Sequence, residues 1–98
     1  MQLEYALKNT HVTGSEIADF LNEKTSRLER YFQGKFHARW NIVFEHDEHE
    51  AHLHVTGNNF DYLGKATDHN LYTAIEEAVD KVDRQLSKHK EIVQDHHK

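Results

Sequence analysis

Cysteine and proline are absent from the chain, and glycine occurs only four times in its 98 residues. The lack of cysteine leaves the chain without disulfides, on which small secreted domains often depend, and without thiolate metal ligands. No apolar run approaches the roughly 18 residues that a membrane-spanning helix needs. Residues 1–4 also lack the basic and apolar regions of a signal peptide. The sequence therefore predicts a cytoplasmic protein with no membrane partner.

The length and the composition favour a single folded domain. Ninety-eight residues can bury one modest core, and the 37% of hydrophobic residues include five Phe, four Tyr and one Trp. No proline-containing linker, low-complexity stretch or internal repeat divides the chain. We expect one domain over residues 1–92, followed by a frayed tail at residues 93–98 that has little to bury.

The net charge is −5 at pH 7, with 12 lysines and arginines against 17 aspartates and glutamates. Nucleic-acid-binding proteins are usually basic, because contacts to phosphates supply most of their affinity, and so this sum argues against such a partner. The sum does not say where the cations lie, however, and clustered cations create a local positive field. Ten histidines could add positive charge in mildly acidic conditions. Net charge alone leaves the partner open.

A first helix is predicted after Thr13, with its apolar positions between Ile17 and Phe32. Thr13 and Glu16 have the spacing of a capping box, in which each side chain bonds to the backbone N–H of the other residue. Gly34 follows the last apolar position, where helices often end on a left-handed residue. The apolar positions recur at the spacings of an amphipathic helix and are Ile17, Phe20, Leu21, Leu28, Tyr31 and Phe32.

Four segments alternate apolar and polar residues, which predicts four strands. The acidic segment at residues 45–50 is polar enough to be a turn, and residues 57–59 tolerate the positive φ of a hairpin turn. The predicted inward faces are Leu3, Tyr5 and Leu7; Phe36, Ala38, Trp40, Ile42 and Phe44; Ala51, Leu53 and Val55; and Tyr62, Gly64 and Ala66.

A second helix follows Asp68, which is a plausible N-cap. Its apolar positions are Leu71, Tyr72, Ile75, Ala78, Val79, Val82 and Leu86. The element order is therefore β-α-β-β-β-α, an α+β fold in which three sequential strands form a meander. Both helices must cover one face of a four-stranded sheet to bury their apolar stripes. The opposite face is left to solvent and carries His37, Arg39, His52, His54 and Lys65.

Cations recur at helical spacing on both helices. If the two helices pack side by side, their cations could merge into a basic groove that would hold phosphates, to which arginine adds bidentate geometry. The cations are Lys24, Arg27 and Arg30 on the first helix, and Lys81, Arg84 and Lys88, with Lys90 just beyond, on the second.

A solvated helix face explains the same pattern. The second helix is acidic in its first half and basic in its second, as the helix dipole favours. Glu77 with Lys81 and Asp80 with Arg84 are also ordinary i,i+4 pairs. The spacing alone leaves both interpretations open.

The histidine-rich segment is a candidate metal site, because His52 and His54 share a strand face close to His46, Asp47 and His49. Two imidazoles and a carboxylate could bind zinc. The chain has no HExxH spacing, no cysteine and no second ligand cluster, and polar residues on an open sheet face need no special cause. We therefore predict no metal and no other cofactor.

No catalytic constellation is present. The three serines lie outside any Gly-x-Ser-x-Gly context, and the chain has no glycine-rich phosphate loop or dinucleotide fingerprint. No nucleophile, base and orienting group occur together. The prediction is a protein that is not an enzyme and has no small-molecule substrate.

Two helical stretches are distinctive, namely residues 21–32, LNEKTSRLERYF, in the first helix and residues 70–90, NLYTAIEEAVDKVDRQLSKHK, in the second. Both resemble the helix motifs of the ribosome hibernation promoting factors, and the second is the stronger match. Residues 1–3 (MQL), Thr13 and residues 53–57 (LHVTG) also fit. The resemblance covers nearly the whole chain, which makes it far more specific than any short motif.

The resemblance implies the same β-α-β-β-β-α fold, similar to double-stranded-RNA-binding domains. It implies binding to the rRNA of the small ribosomal subunit in the decoding channel, which would inhibit translation in stationary phase. The short form, to which this length points, would promote inactive ribosome dimers alongside the ribosome modulation factor. Separately from the resemblance, we expect the free protein to be a monomer. The rRNA-binding residues that it implies are Lys24, Arg27, Arg30, Lys81, Arg84, Lys88 and Lys90.

Two alternatives remain at this point. The other branch of the family blocks single ribosomes and opposes their dimerisation, but carries a longer acidic tail after the second helix. A generic double-stranded-RNA module would bind any duplex in a salt-sensitive manner without preferring ribosomes. The chain also departs from its relatives in its acidic, histidine-rich segment at residues 45–50 and in a slightly longer hairpin at residues 58–61.

Overall fold

The computed structural model describes residues 1–32, 35–57 and 60–96, with the side chains of the last helix up to Lys88. Its elements confirm the predicted β-α-β-β-β-α order. They are β1 (Gln2–Lys8), α1 (Gly14–Ser26), a 3₁₀ helix (Arg27–Tyr31), β2 (His37–Glu45), β3 (Glu48–Gly57), β4 (Phe60–Asp68) and α2 (Leu71–His96).

The four strands form one sheet in the order β1-β2-β3-β4. β1 is parallel to β2, with Gln2 opposite His37, because α1 carries the chain back to the starting end of the sheet. β2, β3 and β4 pair antiparallel as the predicted meander. The sheet is therefore mixed, and β1 and β4 are its two edges.

Both helices cover the same face of this sheet, so the core lies between one sheet face and two helices. Trp40, in the middle of β2, is fully buried, and its indole Nε1 donates to Thr25 Oγ1 of α1 at 3.0 Å. The other fully or almost fully buried apolar residues are Ile17, Leu21, Leu28, Phe36, Ala38, Ile42, Ala51, Leu53, Val55, Ala66, Leu71, Ala74, Ile75, Ala78, Val79, Val82 and Leu86.

At Gly64, β4 and α2 approach each other closely. A Cβ built on Gly64 would lie 2.4 Å from the backbone oxygen of Ala78 and 2.8 Å from Val82 Cγ2. Only a residue without a side chain fits such a distance. This contact fixes how deeply α2 sits on the sheet.

The acidic segment at residues 45–50 is not a long turn, as its polarity suggested. β2 continues to Glu45 and β3 begins at Glu48, and these two residues pair with each other. The turn consists of His46 and Asp47 alone, with φ values of 54° and 63°. Positive φ at both central residues is what a two-residue hairpin requires, and it follows the twist of the strands.

Both predicted helix boundaries also need correction. The capping box of Thr13 and Glu16 is present, but α1 ends at Ser26 and the chain continues as the 3₁₀ helix instead of remaining α-helical to Phe32. The N-cap of α2 is Asn70 and not Asp68, since Asn70 Oδ1 accepts from the backbone N–H groups of residues 72 and 73 at 2.9 and 3.2 Å. Asp68 instead accepts from the backbone N–H of Asn70.

Some sequence predictions concern parts of the chain outside the described residues. Gly34 as a helix end and residues 58–59 as a hairpin turn are among them. The described residues Gly57 and Phe60 pair with each other. The boundary at residue 92 and the frayed tail stay predictions, and α2 extends to His96. Within the described residues, no helix combines the length and the apolar character needed to cross a membrane.

Candidate nucleic-acid interface

The seam between α1 and α2 is a series of paired side chains. Lys24, in the last turn of α1, places its Nζ 3.7 Å from Glu76 Oε1 of α2. One turn further along, Arg27 Nη2 bonds to Asp80 and lies 2.9 Å from Asp83 Oδ2. The cations of the first helical segment therefore face carboxylates of the second across the seam.

Asp83 is the centre of this seam. Its Oδ1 and Oδ2 accept from Arg30 Nη2 at 2.9 and 3.1 Å, and the Tyr31 hydroxyl donates to Oδ1. The side chain is only 16% exposed. This burial acts to raise the pKa of Asp83, but the hydrogen bonds from Tyr31 and Arg30 and the charges of both arginines outweigh it, so the pKa is lowered. Asp83 is thus held as a carboxylate.

Arg27 and Arg30 are held in place and still have hydrogen-bond donors without a partner among the described residues. Every side-chain hydrogen bond that they make within the described residues starts from Nη2, so their Nε and Nη1 donors stay available. Their side chains are 44% and 60% exposed. The hydrogen bond from Arg27 to Asp80 raises the pKa of Arg27, and the one from Arg30 to Asp83 raises the pKa of Arg30. Fixed, charged guanidinium groups with free donors suit a phosphate.

The cations of α2 fall into two groups. Arg84 and Lys88 are exposed and have no ion-pair partner in the described part of the chain. Lys81 instead points toward the sheet edge, where its Nζ donates to the backbone oxygen of Lys65 in β4. Gln85 donates to the backbone oxygen of Leu63 beside it, at 2.9 Å. The side chain of the seventh predicted cation, Lys90, lies outside the described residues.

The predicted merging of the two cation stripes into one basic groove is therefore wrong. Glu76, Asp80 and Asp83 lie between them, so two rows of cations flank a row of carboxylates. Neither these acidic partners nor the hydroxyl of Tyr31 was predicted from the sequence. The sequence does contain a signal for this pairing. The acids of α2 recur at helical spacings of four and three, and the cations of the first helical segment recur at spacings of three, so the two sets can lie opposite each other.

The open sheet face pairs its histidines with carboxylates. His52 Nε2 lies 2.5 Å from Glu50 Oε1, and His54 Nε2 lies 2.5 Å from Asp61 Oδ1. The hydrogen bond from His52 lowers the pKa of Glu50. In the same way, the hydrogen bonds from Arg39 lower the pKa of Glu4, and His37, whose Nε2 lies 3.2 Å from Glu4 Oε2, acts in the same direction. These are ordinary surface pairs.

The residues considered for a metal do not come together. His46 and Asp47 form the hairpin turn, while the ring of His49 packs against Phe44 on the helix side of the sheet, away from His52 and His54. Among the described residues, no three histidine, aspartate or glutamate side chains lie close enough to hold a metal ion.

Comparison with known proteins identifies the family of this chain. Residues 4–94 match the family of the sigma 54 modulation protein / S30EA ribosomal protein. The chain belongs to this family. A relative from Azotobacter vinelandii, named ribosome hibernation promoting factor, is 37% identical over 93 residues, which is 93% of this chain and 84% of that protein. The Escherichia coli K12 protein of the same name is 32% identical over 98% of this chain and its own full length.

A solved structure agrees with this family at the level of the fold. The N-terminal domain of Protein Y from Thermus thermophilus superposes with a TM-score of 0.81 at 26% identity, covering 90% of this chain and 98% of that domain. Family membership and fold thus agree with the resemblance that the two helix motifs carry. The roles of the individual cations stay a prediction, because these comparisons concern whole chains.

Proposed function

We propose that the protein is a ribosome hibernation factor that binds the rRNA of the small ribosomal subunit in the decoding channel. Bound there, it inhibits translation in stationary phase and, with the ribosome modulation factor, promotes inactive ribosome dimers in the cytoplasm. It does so by occupying the channel and not by catalysis. The observation that carries the proposal is similarity along almost the whole chain to relatives named ribosome hibernation promoting factor.

The geometry supports rRNA phosphates as the ligands. Lys24, Arg27 and Arg30 form one row and Arg84 and Lys88 form another on neighbouring helical segments, all on parts of the surface that the sheet does not cover. A phosphate that contacts the free donors of Arg27 or Arg30 need not break their bonds to Asp83, so the site is preorganised. Preorganised donors bind more tightly because less side-chain entropy is lost on binding.

The test changes Arg84 and Lys88 together to glutamate. Lys81 is left intact, because its bond to β4 would make its substitution a change in the sheet edge as well. The matched control is Lys8→Glu with Lys35→Glu, which alters net charge by the same amount at exposed residues outside the helices. Binding is measured by co-sedimentation with purified small subunits at pH 8 over a range of salt concentrations.

We expect the helix variant to bind at least tenfold more weakly, with the slope of log K against log salt reduced by about two for two lost phosphate contacts. The control variant should bind like the unchanged protein. Equal binding of both variants would overturn the assignment of the helix cations.

Ribosome dimerisation is tested separately by sucrose-gradient profiles. The protein is added to ribosomes with and without the ribosome modulation factor. Inactive dimers that increase with the protein support the proposed direction. Single, inactive ribosomes without dimers would instead assign the protein to the dimer-opposing branch.

A further inference from the structure

Tyr72 departs from its sequence prediction. Its position in the apolar stripe of α2 predicts a core residue, but the side chain is 41% exposed, whereas its neighbour Leu71 is 6% exposed. It is one of only three large apolar side chains in the described part of the chain that are exposed to this degree. An aromatic ring on the surface of a helix therefore calls for an explanation other than core packing.

The ring of Tyr72 lies against Phe20 of α1. The two ring centroids are 4.7 Å apart and the planes are nearly perpendicular, at 84°. Edge-to-face packing of this kind is a favourable aromatic geometry. The contact fixes the orientation of Tyr72 while leaving two fifths of its surface in solvent.

This aromatic pair continues the row of paired side chains in the α1–α2 seam. Tyr72 lies one helical turn before Glu76, and Phe20 lies one turn before Lys24, whose Nζ lies 5.3 Å from the Phe20 ring centroid. Lys24 therefore links the aromatic pair to the ion pairs of Arg27 and Arg30. One end of the seam is aromatic, and the remainder presents cations with free donors.

A cationic row that ends in a fixed, exposed aromatic ring matches the chemistry of single-stranded RNA. Phosphates follow the cations, and unpaired bases stack on aromatic side chains. A duplex offers no free base face, because its bases are already stacked. We propose that Tyr72, supported by Phe20, stacks on an unpaired nucleobase of the bound RNA while Lys24 contacts the adjacent phosphate. This inference rests on the proposed function and specifies how the RNA is recognised.

The test compares Tyr72→Leu with Tyr72→Phe. Leucine keeps an apolar contact with Phe20 but removes the π face, whereas phenylalanine keeps that face and removes only the hydroxyl. Binding is measured with small ribosomal subunits and with a single-stranded oligoribonucleotide, together with thermal unfolding of each variant.

We expect Tyr72→Leu to bind roughly tenfold or more weakly, as the loss of one stacked base predicts. The slope of log K against log salt should not change, because no phosphate contact is lost. Tyr72→Phe should bind like the unchanged protein. The unchanged salt slope distinguishes this loss from the loss expected for the Arg84 and Lys88 variant.

A Tyr72→Trp variant gives a direct readout that does not depend on the stability of the leucine variant. The single native tryptophan, Trp40, is fully buried, so its emission provides a constant background that the unchanged protein measures. Stacking on a base should quench the introduced indole on addition of the oligoribonucleotide but not on addition of a fully paired duplex.

Two results would overturn the inference while leaving the proposed function intact. They are equal ribosome binding by Tyr72→Leu and the unchanged protein, and an introduced indole that is not quenched. Failure of the unchanged protein to bind small subunits at all would instead remove the proposed function.

Discussion

Replacing Gly64 with alanine tests the close contact between β4 and α2. The added methyl would meet the backbone oxygen of Ala78 at 2.4 Å, and a backbone atom cannot move aside as a flexible side chain can. Overfilling a packed core in this way costs about 1–3 kcal/mol. Alanine also recovers roughly 0.5–1 kcal/mol, because glycine in a strand loses more backbone entropy on folding.

The net expectation is a loss of about 1–2 kcal/mol in the free energy of unfolding. In a domain of this size each kcal/mol lowers Tm by roughly 4–8 °C, so we expect a decrease of about 4–16 °C. Circular dichroism during heating measures Tm, and urea unfolding gives the free energy. Thr67→Ala, at an exposed position of the same strand, should change Tm little.

A Gly64→Ala variant as stable as the unchanged protein would refute this reasoning. It would mean that α2 can move away from β4 at no cost. A decrease in stability accompanied by unchanged ribosome binding would show that the depth of α2 matters for folding but not for the position of its cations.

Three further predictions concern individual polar contacts. Thr25→Val should cost about 1–3 kcal/mol in urea unfolding, because it leaves the buried indole N–H of Trp40 without an acceptor, whereas Thr25→Ser should retain most of the stability. Asn70→Ala should remove the N-cap of α2 and lower the unfolding free energy by about 1 kcal/mol, while Asn70→Asp should not. Because the pKa of Asp83 is lowered in the folded state, its contribution is complete above the unfolded-state value near 4 and is lost as the pH falls further. The stability difference between the unchanged protein and Asp83→Asn, measured by urea unfolding, should therefore be constant from about pH 7 to 5 and shrink below about pH 4.

The sheet and its inward face could be read from the sequence because alternation is a local signal. Within each strand, the alternation of apolar and polar residues indicates which side chains face the core. Ala38, Trp40 and Ile42 are buried as their spacing predicts. The extent of the turn at residues 45–50 could not be predicted, because polarity does not distinguish a turn from an exposed strand end. Only the positive φ values of His46 and Asp47 show where the chain reverses.

The ion pairs in the seam between the helices could not be predicted from such local signals. The spacing of Arg27 and Arg30 shows that they share one side of their helix, but not what the neighbouring helix places against them. Their partner Asp83 is more than 50 residues away in sequence. Net charge does not indicate where exposed cations lie either. A chain with an acidic total can still expose cations such as Arg84 when its carboxylates are paired elsewhere.

The bonds from Lys81 and Gln85 to β4 have a consequence for self-association. An edge strand offers unpaired backbone groups to which a strand of another molecule can add. At β4 an incoming strand would first have to displace two side chains from the oxygens of Leu63 and Lys65. Within the described residues no side chain covers the backbone of β1 in this way. At high protein concentration, intermolecular strand addition should therefore begin at β1, and a proline or lysine placed there should suppress aggregation more than the same change in β4.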